Sequence, residues 1–500
     1  MEKSNVIDYL LYKMEHHNMP SVIMSGAMIL ESHVNGELLN ATEMANHLAA
    51  KLENVPLLRS KFVEAPLGLA HMRRIEDSKF DIWDHVLIDS LPAPGGYDEL
   101  TAYIETHCED LKAPHLWHII ILQGLKDNRL AIITRFHHAL ADGMGAGKAM
   151  DPIYSLEPKE LQTPTYPVKS FPKDPTLLDL YTFSLKDSVE RLWDSSRFLV
   201  NNATGIGQFI GAQAKEKLFK TKNKVEEKPQ VIRTSLNISK HSMTHTSSYK
   251  TLPIADIKTL AKYFDGTIND ICLFLYTYAL ESYFESNSES IGIDLICGVP
   301  VSVREAGDVE GGNQLSVMYC NLHNSIKDPV KRLQSIIAET KSQKLALEEK
   351  TSVVSLDDVG SLVPPVTISA LLYLASKFNL AERFPDKIHM MNALLTNVPG
   401  PRFPVYIGNG LMVENIAMPP ILDVMALTTA VTSTYTNVTF GFHGDARVVK
   451  DKNSFVRGIE IGMEKLGKQA ALDKTASIKS PAKVKASVSR SETATDKGIQ

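Results

Sequence analysis

The sequence predicts an α/β protein built as two domains, and three observations carry that prediction. Its 500 residues exceed one ordinary core and suit two domains of about 200 residues each. Short apolar runs alternate along the chain with longer stretches of helical period, the pattern of strands layered with helices. Between the halves, residues 155–175 carry five prolines, which marks a linker. The expected division is 1–154 for the first domain, 155–229 for a linker with crossover helices, 230–470 for the second domain and 471–500 for a tail.

In chain order, residues 5–18 place Ile7, Leu10, Leu11 and Met14 on one helical face, and His16-His17 reads as the end of that helix. Val22 to Leu30 is a strand and Thr42 to Leu52 a helix that stops before Val55-Pro56. A helix over 98–110 precedes the strand His118 to Gln123, with Trp117 as core packing. The run Leu130 to Thr134 is a buried strand, followed by a helix to about Tyr154. Residues 176–222 are helical in pattern, with Trp193, Phe198, Phe209 and Ile210 among lysines. This stretch reads as a crossover helix over a domain interface, with a membrane-surface helix or lid as the rival reading.

Ser248 to Ile254 is a strand, Ile257 to Phe264 a helix, and Ile271 to Leu280 a helix apolar on every face, hence buried between layers. Ile291 to Arg304 is a strand and Asp328 to Glu349 an amphipathic helix. Leu394 to Val398 leads into Pro399-Gly400-Pro401, and the threonine-rich 428–442 gives the last strands before a helix over 454–468. Residues 474–500 hold six Lys or Arg against two acids, the composition of a disordered basic tail.

Composition narrows the function. Hydrophobic content of 44% and charged content of 22% are ordinary for a globular enzyme, and a net charge of −5 argues against a nucleic-acid binder. Cys108, Cys272, Cys297 and Cys320 show no CxxC spacing and read as reduced, mostly buried thiols of a cytoplasmic protein. Glu2, Lys3, Asp8, Lys13 and Glu15 interrupt any signal sequence. Pro364-Pro365 and the strand-like 424–442 exclude the two longest uncharged stretches as spans, so lipid is expected to be met only from the surface.

The chemistry concentrates in Arg135-Phe136-His137-His138-Ala139-Leu140-Ala141-Asp142-Gly143. An apolar strand closing on two histidines delivers an imidazole to its own end, and a histidine so fixed can act as a general base. Asp142 is placed to start a helix and to lock the loop through a buried ion pair. The plainer alternative is a core histidine pair beside a helix cap. HHxxxDG arises by chance on the order of once in a thousand chains of this length and composition. Thr267 with Asp270 has capping-box spacing, so Asp270 serves as a cap at least. Arg304 ends an apolar strand and needs a partner if buried; the alternative is a solvent-facing arginine.

Together these motifs resemble the CoA-dependent acyltransferase superfamily, whose signature is HHxxxDG, and within it the bacterial wax ester synthase/diacylglycerol acyltransferases. The resemblance spans nearly all of residues 1–470. Pro56-Leu57-Leu58-Arg59 is similar to that family's proline–leucine–arginine segment, Asn269-Asp270 to its second motif, and Asn397-Val398-Pro399-Gly400-Pro401 to its crossover motif. Val299 to Arg304 resembles the strand preceding its glycine–asparagine segment, here Gly311-Gly312-Asn313. Leu116-Trp117 matches a family Pro-Leu-Trp, except that Pro114 sits one residue early and His115 stands in its place.

The resemblance implies two CoA-dependent acyltransferase-like domains, mixed sheets flanked by helices, with an active-site channel between them. It implies acyl transfer from acyl-CoA to a fatty alcohol or a diacylglycerol. His138 would be the general base, His137 would orient the loop, Asp142 would hold its shape, and Gly143 would allow close backbone approach. Asn269 would support the oxyanion or the loop, Asp270 would support the helix start, and Arg304 would pair with Asp142. The reaction as implied needs no metal and no cofactor, CoA being a substrate, and peripheral contact with a membrane or lipid inclusion is expected. A condensation-type enzyme using carrier-protein donors, and a non-catalytic lipid-binding protein of the same fold, remain the alternatives. The substrate-binding residues and the preferred acceptor are not legible.

Overall fold

A computed structural model describes residues 2–4, 6–16, 22–32, 38–107, 111, 115–141, 143–161, 173–201, 231–238, 242, 244–302, 315–349, 364–378, 383, 390–421 and 425–479. Cys108, Asp142, Arg304 and Gly311-Gly312-Asn313 fall outside them, as do Phe209 and Ile210.

The first sheet has seven strands, built around β2 (Ile23–Ser32) and β7 (Leu130–His137), which pair antiparallel with Ile23 opposite His137. Outside β7 lie β6 (Trp117–Gln123) and then the edge strand β5 (Val86–Ser90). Both faces are covered. Helix α2 (Ala41–Leu52) sends Met44, Leu48 and Leu52 against Ile119, Ile121, Leu130 and Ile132. On the other face α3 (Tyr97–His107) sends Leu100 and Ile104 against Ile120, Leu122, Ala131 and Ile133. That is why 130–133 is apolar without alternation: each side chain meets a helix on one side or the other, and Leu130, Ile132 and Ile133 are each worth about 1.5–3 kcal/mol when fully buried. Asn40 caps α2 by accepting from the backbone N–H groups of Thr42 and Glu43.

A three-stranded sheet of β1 (Glu2–Lys3), β4 (Arg73–Glu76) and β3 (Ser60–Val63) lies beside it. It supports α1 (Val6–His16). Helix α4 (Gly143–Met150) ends earlier than its sequence suggests, because Pro152 turns the chain into a short 3-10 segment before β8 (Tyr154–Ser155). The long helix α5 (Leu177–Asn201) follows the proline-rich stretch.

The second sheet runs β11-β10-β12-β15-β16-β9, with β9 His245–Pro253, β10 Ile296–Ser302, β11 Leu315–Asn321, β12 Ala393–Val398, β15 Leu427–Ser433 and β16 Asn437–Asp445. It is mixed: β10, β12 and β15 are parallel neighbours, the remainder antiparallel. Its covering helices are α6 (Ile254–Tyr263), α7 (Ile268–Ser286), α8 (Pro329–Glu349) and α10 (Asn453–Lys479), whereas α9 (Pro365–Lys377) packs on α1 of the first half. Helix α7 is buried along Ile271–Leu280 because α6, α8 and α10 enclose it against the sheet. Gly458 of α10 makes that packing close, since a Cβ there would lie 2.3 Å from the Tyr278 carbonyl oxygen. Cys272, Cys297 and Cys320 are buried and free, and burial pushes the Cys272 and Cys320 thiols up to about 12. Helix α10 continues through Lys479, into the segment whose composition suggests a disordered tail; Ala470, Ala471, Leu472 and Lys474 are good helix formers, and no proline intervenes before Pro481.

The two halves of the chain do not each own a sheet. After β12 the chain leaves the second sheet at Pro399-Gly400-Pro401 and enters the first as β13 (Tyr406–Ile407) and β14 (Gly410–Met418), which pair with β8 and β2. Gly400 is required by contact, not by φ: a Cβ would sit 1.7 Å from the Ser433 carbonyl oxygen. The threonine-rich strands then face β14. Thr432 donates to Asn415 O, Thr434 Oγ1 to Val413 O at 3.1 Å, Asn437 Nδ2 to Val413 O at 2.9 Å and Thr428 Oγ1 to Pro419 O at 3.0 Å. Three threonine hydroxyls and one asparagine amide thus bond the half-buried carbonyls of Val413, Asn415 and Pro419.

Candidate active site

The end of β7 is pinned on both sides. The His137 backbone N–H donates to Leu116 O at 2.8 Å, and the His138 N–H to Val22 O at 2.9 Å. A turn closes at once, with Leu140 N–H donating to His137 O at 2.8 Å. The two imidazoles therefore leave the sheet from fixed backbone but into different surroundings. His137 is buried, its Nδ1 accepts the Ala139 N–H at 3.1 Å, and its ring lies 6.0 Å from that of Tyr12. Accepting at Nδ1 leaves the ring proton on Nε2 in the neutral form. His138 is half-buried. The following residue, Ala139, packs with Tyr9, Met72 and Ile368, so the loop rests on α1 from the first half and α9 from the second. Tyr9 ties those helices directly, its hydroxyl 2.8 Å from Ser369 Oγ.

Gly143 is the first residue of α4. The expected pairing of Asp142 with Arg304 lies outside the described residues. Two residues before His137, Arg135 is buried beside Tyr103, whose hydroxyl donates to Asp89 Oδ2 at 2.8 Å. Burial, then the Asp89 carboxylate, push the Tyr103 phenol well up, so it stays a neutral donor.

The second motif assembles elsewhere. Thr267 and Asp270 form a complete capping box on α7: Asp270 Oδ2 accepts from Thr267 N–H and Oγ1, both at 2.7 Å. Its other oxygen accepts from Thr340 Oγ1 of α8 at 2.7 Å. With both oxygens engaged and the side chain buried, Asp270 holds helices together. Asn269, half-exposed on the same turn, accepts through Oδ1 from Asn397 Nδ2 at 3.1 Å. Trp117 is fully buried, and its Nε1–H donates to Leu58 O at 2.7 Å, joining Leu116-Trp117 to the Pro56–Arg59 segment.

His137, His138 and Gly143 thus share one loop on the first sheet, whereas Asn269 and Asp270 sit on the helix layer of the second. Sequence alone shows neither the backbone anchors Val22 and Leu116, which carry no side-chain signature, nor the bond to Asn397.

Comparison with known proteins places this geometry among relatives. The family description "Wax ester synthase/diacylglycerol acyltransferase catalytic domain" matches residues 5–272, and "WS/DGAT C-terminal domain" matches residues 311–467. Two Mycobacterium tuberculosis proteins named as diacylglycerol O-acyltransferases are similar: one is 26% identical over 425 residues, covering 84% of this chain and 89% of the relative. The other is 27% identical over 435 residues, covering 85% and 90%. Among solved structures, the wax ester synthase/diacylglycerol acyltransferase of Marinobacter aquaeolei VT8 superposes with a TM-score of 0.67 at 20% identity, over 94% of this chain and all of that one. The first condensation domain of the calcium-dependent antibiotic synthetase follows the same fold, at a TM-score of 0.51 and 12% identity over 93% and 95%.

Proposed function

Because the chain belongs to the wax ester synthase/diacylglycerol acyltransferase family and is an acyl-transferring enzyme, we propose that it moves a long-chain acyl group from acyl-CoA to a fatty alcohol or a diacylglycerol, forming wax ester or triacylglycerol. The observation that carries the assignment of roles is the contrast between the two histidines. His137 spends Nδ1 on the Ala139 N–H inside the protein, while His138 stands half-exposed on a backbone pinned to Val22. His138 is the general base. It takes the hydroxyl proton as the acceptor oxygen attacks the thioester carbonyl; the C–O bond forms, the C–S bond breaks, and the proton passes from His138 to the departing CoA sulfur. His137 orients the loop, Asp142 holds its shape with Arg304 as partner, and Gly143 admits the substrate close to the backbone. Asn269, fixed by Asn397, supports the oxyanion or the loop from the second half. The two substrates enter a channel between the halves from opposite ends.

Contact with lipid is assigned to α5. Its inward face is Leu180, Ser184, Asp187 and Arg191, while Leu178, Leu185, Val189, Leu192 and Trp193 are exposed. No helix among the described residues is long and apolar enough to cross a membrane. An apolar stripe on a polar-backed helix suits lying on a lipid surface.

The test is CoA release by purified protein given palmitoyl-CoA with hexadecanol or diacylglycerol, beside His138→Ala. Release that needs an acceptor and vanishes in the variant supports the reading and ranks the acceptors. Release only with carrier-protein donors would replace it with the condensation-type reading, and binding of acyl-CoA without any turnover with the non-catalytic one.

A further inference from the structure

Three histidines distant in sequence, His85, His115 and His118, meet at the outer edge of the first sheet, with one ligand atom from each lying within 4.8 Å of the others. His85 immediately precedes the edge strand β5, and His115 and His118 flank the start of β6. His85 is held rigidly: its ring stacks on Trp117 (centroids 4.5 Å apart, planes at 13°) and on Phe80 (5.2 Å, 24°). Its Nδ1 donates to Trp117 O at 2.9 Å, which fixes the tautomer and keeps Nε2 as the unprotonated nitrogen a metal would take. A backbone carbonyl on the remote nitrogen is the usual partner of a metal-bound imidazole. His115 meets His85 edge-on at 5.0 Å, and His118 lies 5.5 Å from His115. His85 is buried and the other two half-buried, so the cluster has a wall and an approach.

We propose that His85, His115 and His118 form a binding site for a divalent transition-metal ion, with Zn2+ the best match. Three imidazoles without a carboxylate suit Zn2+, Cu2+ or Ni2+ and reject Mg2+ and Ca2+. Zinc–nitrogen distances of about 2.0–2.1 Å need the rings closer than they stand, so His115 and His118 rotate inward onto the fixed His85. The ion is structural, separate from acyl transfer. It ties the edge strand to the start of β6, beside Leu116, whose carbonyl holds the His137 N–H. Sequence gave no reason to group these residues, since an HxxH pair with a third histidine far upstream matches no metal motif.

The experiment uses untagged, chelator-stripped full-length protein titrated with Co2+ and then Zn2+, with His115→Ala, His118→Asn and, in the second half, His323→Asn as control. Expected are one Co2+ per chain with visible d–d absorption, displacement by Zn2+, and a Tm raised by Zn2+ in wild type and control. Either cluster variant should bind at least tenfold more weakly, with far-UV circular dichroism of the metal-free protein unchanged; His115→Gln replaces a variant that loses its fold. No binding by wild type, or wild-type affinity retained in both cluster variants, overturns the site and leaves adventitious binding only.

Discussion

Asn397, at the end of β12, donates its side-chain amide to Asn269, in the first turn of α7, across 3.1 Å. The bond fastens the strand that leaves the second sheet to the helix whose capping box begins at Thr267, two residues before Asn269. It makes two motifs, read separately in the sequence, parts of one structure. A double-mutant cycle of Asn397→Ala and Asn269→Ala should return a coupling of about 0.5–1.5 kcal/mol in urea unfolding. Additive effects would show that the bond contributes nothing.

The two histidines of the loop should fail differently. His138→Ala should retain the wild-type Tm and lose about 10²–10⁴-fold in the rate of acceptor-dependent CoA release. His137→Ala leaves the buried Ala139 N–H without its acceptor, at a cost of about 1–3 kcal/mol, so it should lower Tm as well as activity. Equal Tm values for the two variants would contradict the division of roles.

Gly400→Ala should destabilise severely. Its Cβ would overlap the Ser433 carbonyl at 1.7 Å, and the obstacle is backbone that cannot swing aside. A loss on the order of 3 kcal/mol or more, or failure to fold, is expected in urea titration. A loss below about 1 kcal/mol would mean that the crossover can shift.

Asp445 supplies an acid-sensitive element. Burial alone would raise its carboxyl, but bonds from the Arg447 side chain, the Ser242 and Arg447 N–H groups and the Ser242 hydroxyl hold it at about 2. Its folded value lies below its unfolded one, so the stabilisation is complete above about pH 4 and fades as pH falls toward 2. The stability difference between wild type and Asp445→Asn should therefore be flat near neutrality and shrink below pH 4. A difference that grows on acidification would reverse the sign.

Leu185 and Leu192 are 64% and 72% exposed on the outer face of α5. Leu185→Glu with Leu192→Glu should cut co-flotation with phospholipid vesicles at least tenfold, each leucine contributing about 1.5–3 kcal/mol when buried in lipid. Unchanged flotation would locate lipid contact elsewhere.

Much of the architecture was legible because its signals are local. The uninterrupted apolar run 130–133 announces a strand covered on both faces, Thr267 and Asp270 announce a cap, and Pro399-Gly400-Pro401 announces an abrupt turn. What escaped is tertiary. No periodicity says that Thr432 and Thr434 bond carbonyls of β14 and Thr428 that of Pro419 just beyond it, or that His85 reaches His115 and His118. The extension of α10 to Lys479 was hidden by a composition that looks solvated yet propagates a helix already begun. For α5 the sequence favours a crossover helix over an interface; Leu178, Leu185 and Leu192 face outward because the buried face is assembled from Leu180, Ser184, Asp187 and Arg191, the last two bonded at 2.7 Å.

The loan of β13 and β14 to the first sheet has a consequence for biosynthesis. As the chain emerges from the ribosome, β2 gains β7 early, but its opposite edge stays bare until residue 418 has been made. An exposed, apolar strand edge is a template for pairing with other chains. The nascent protein must carry that edge through the synthesis of four of the six strands of the second sheet, so a chain truncated before β14 is left with an aggregating surface, and the two halves cannot mature independently.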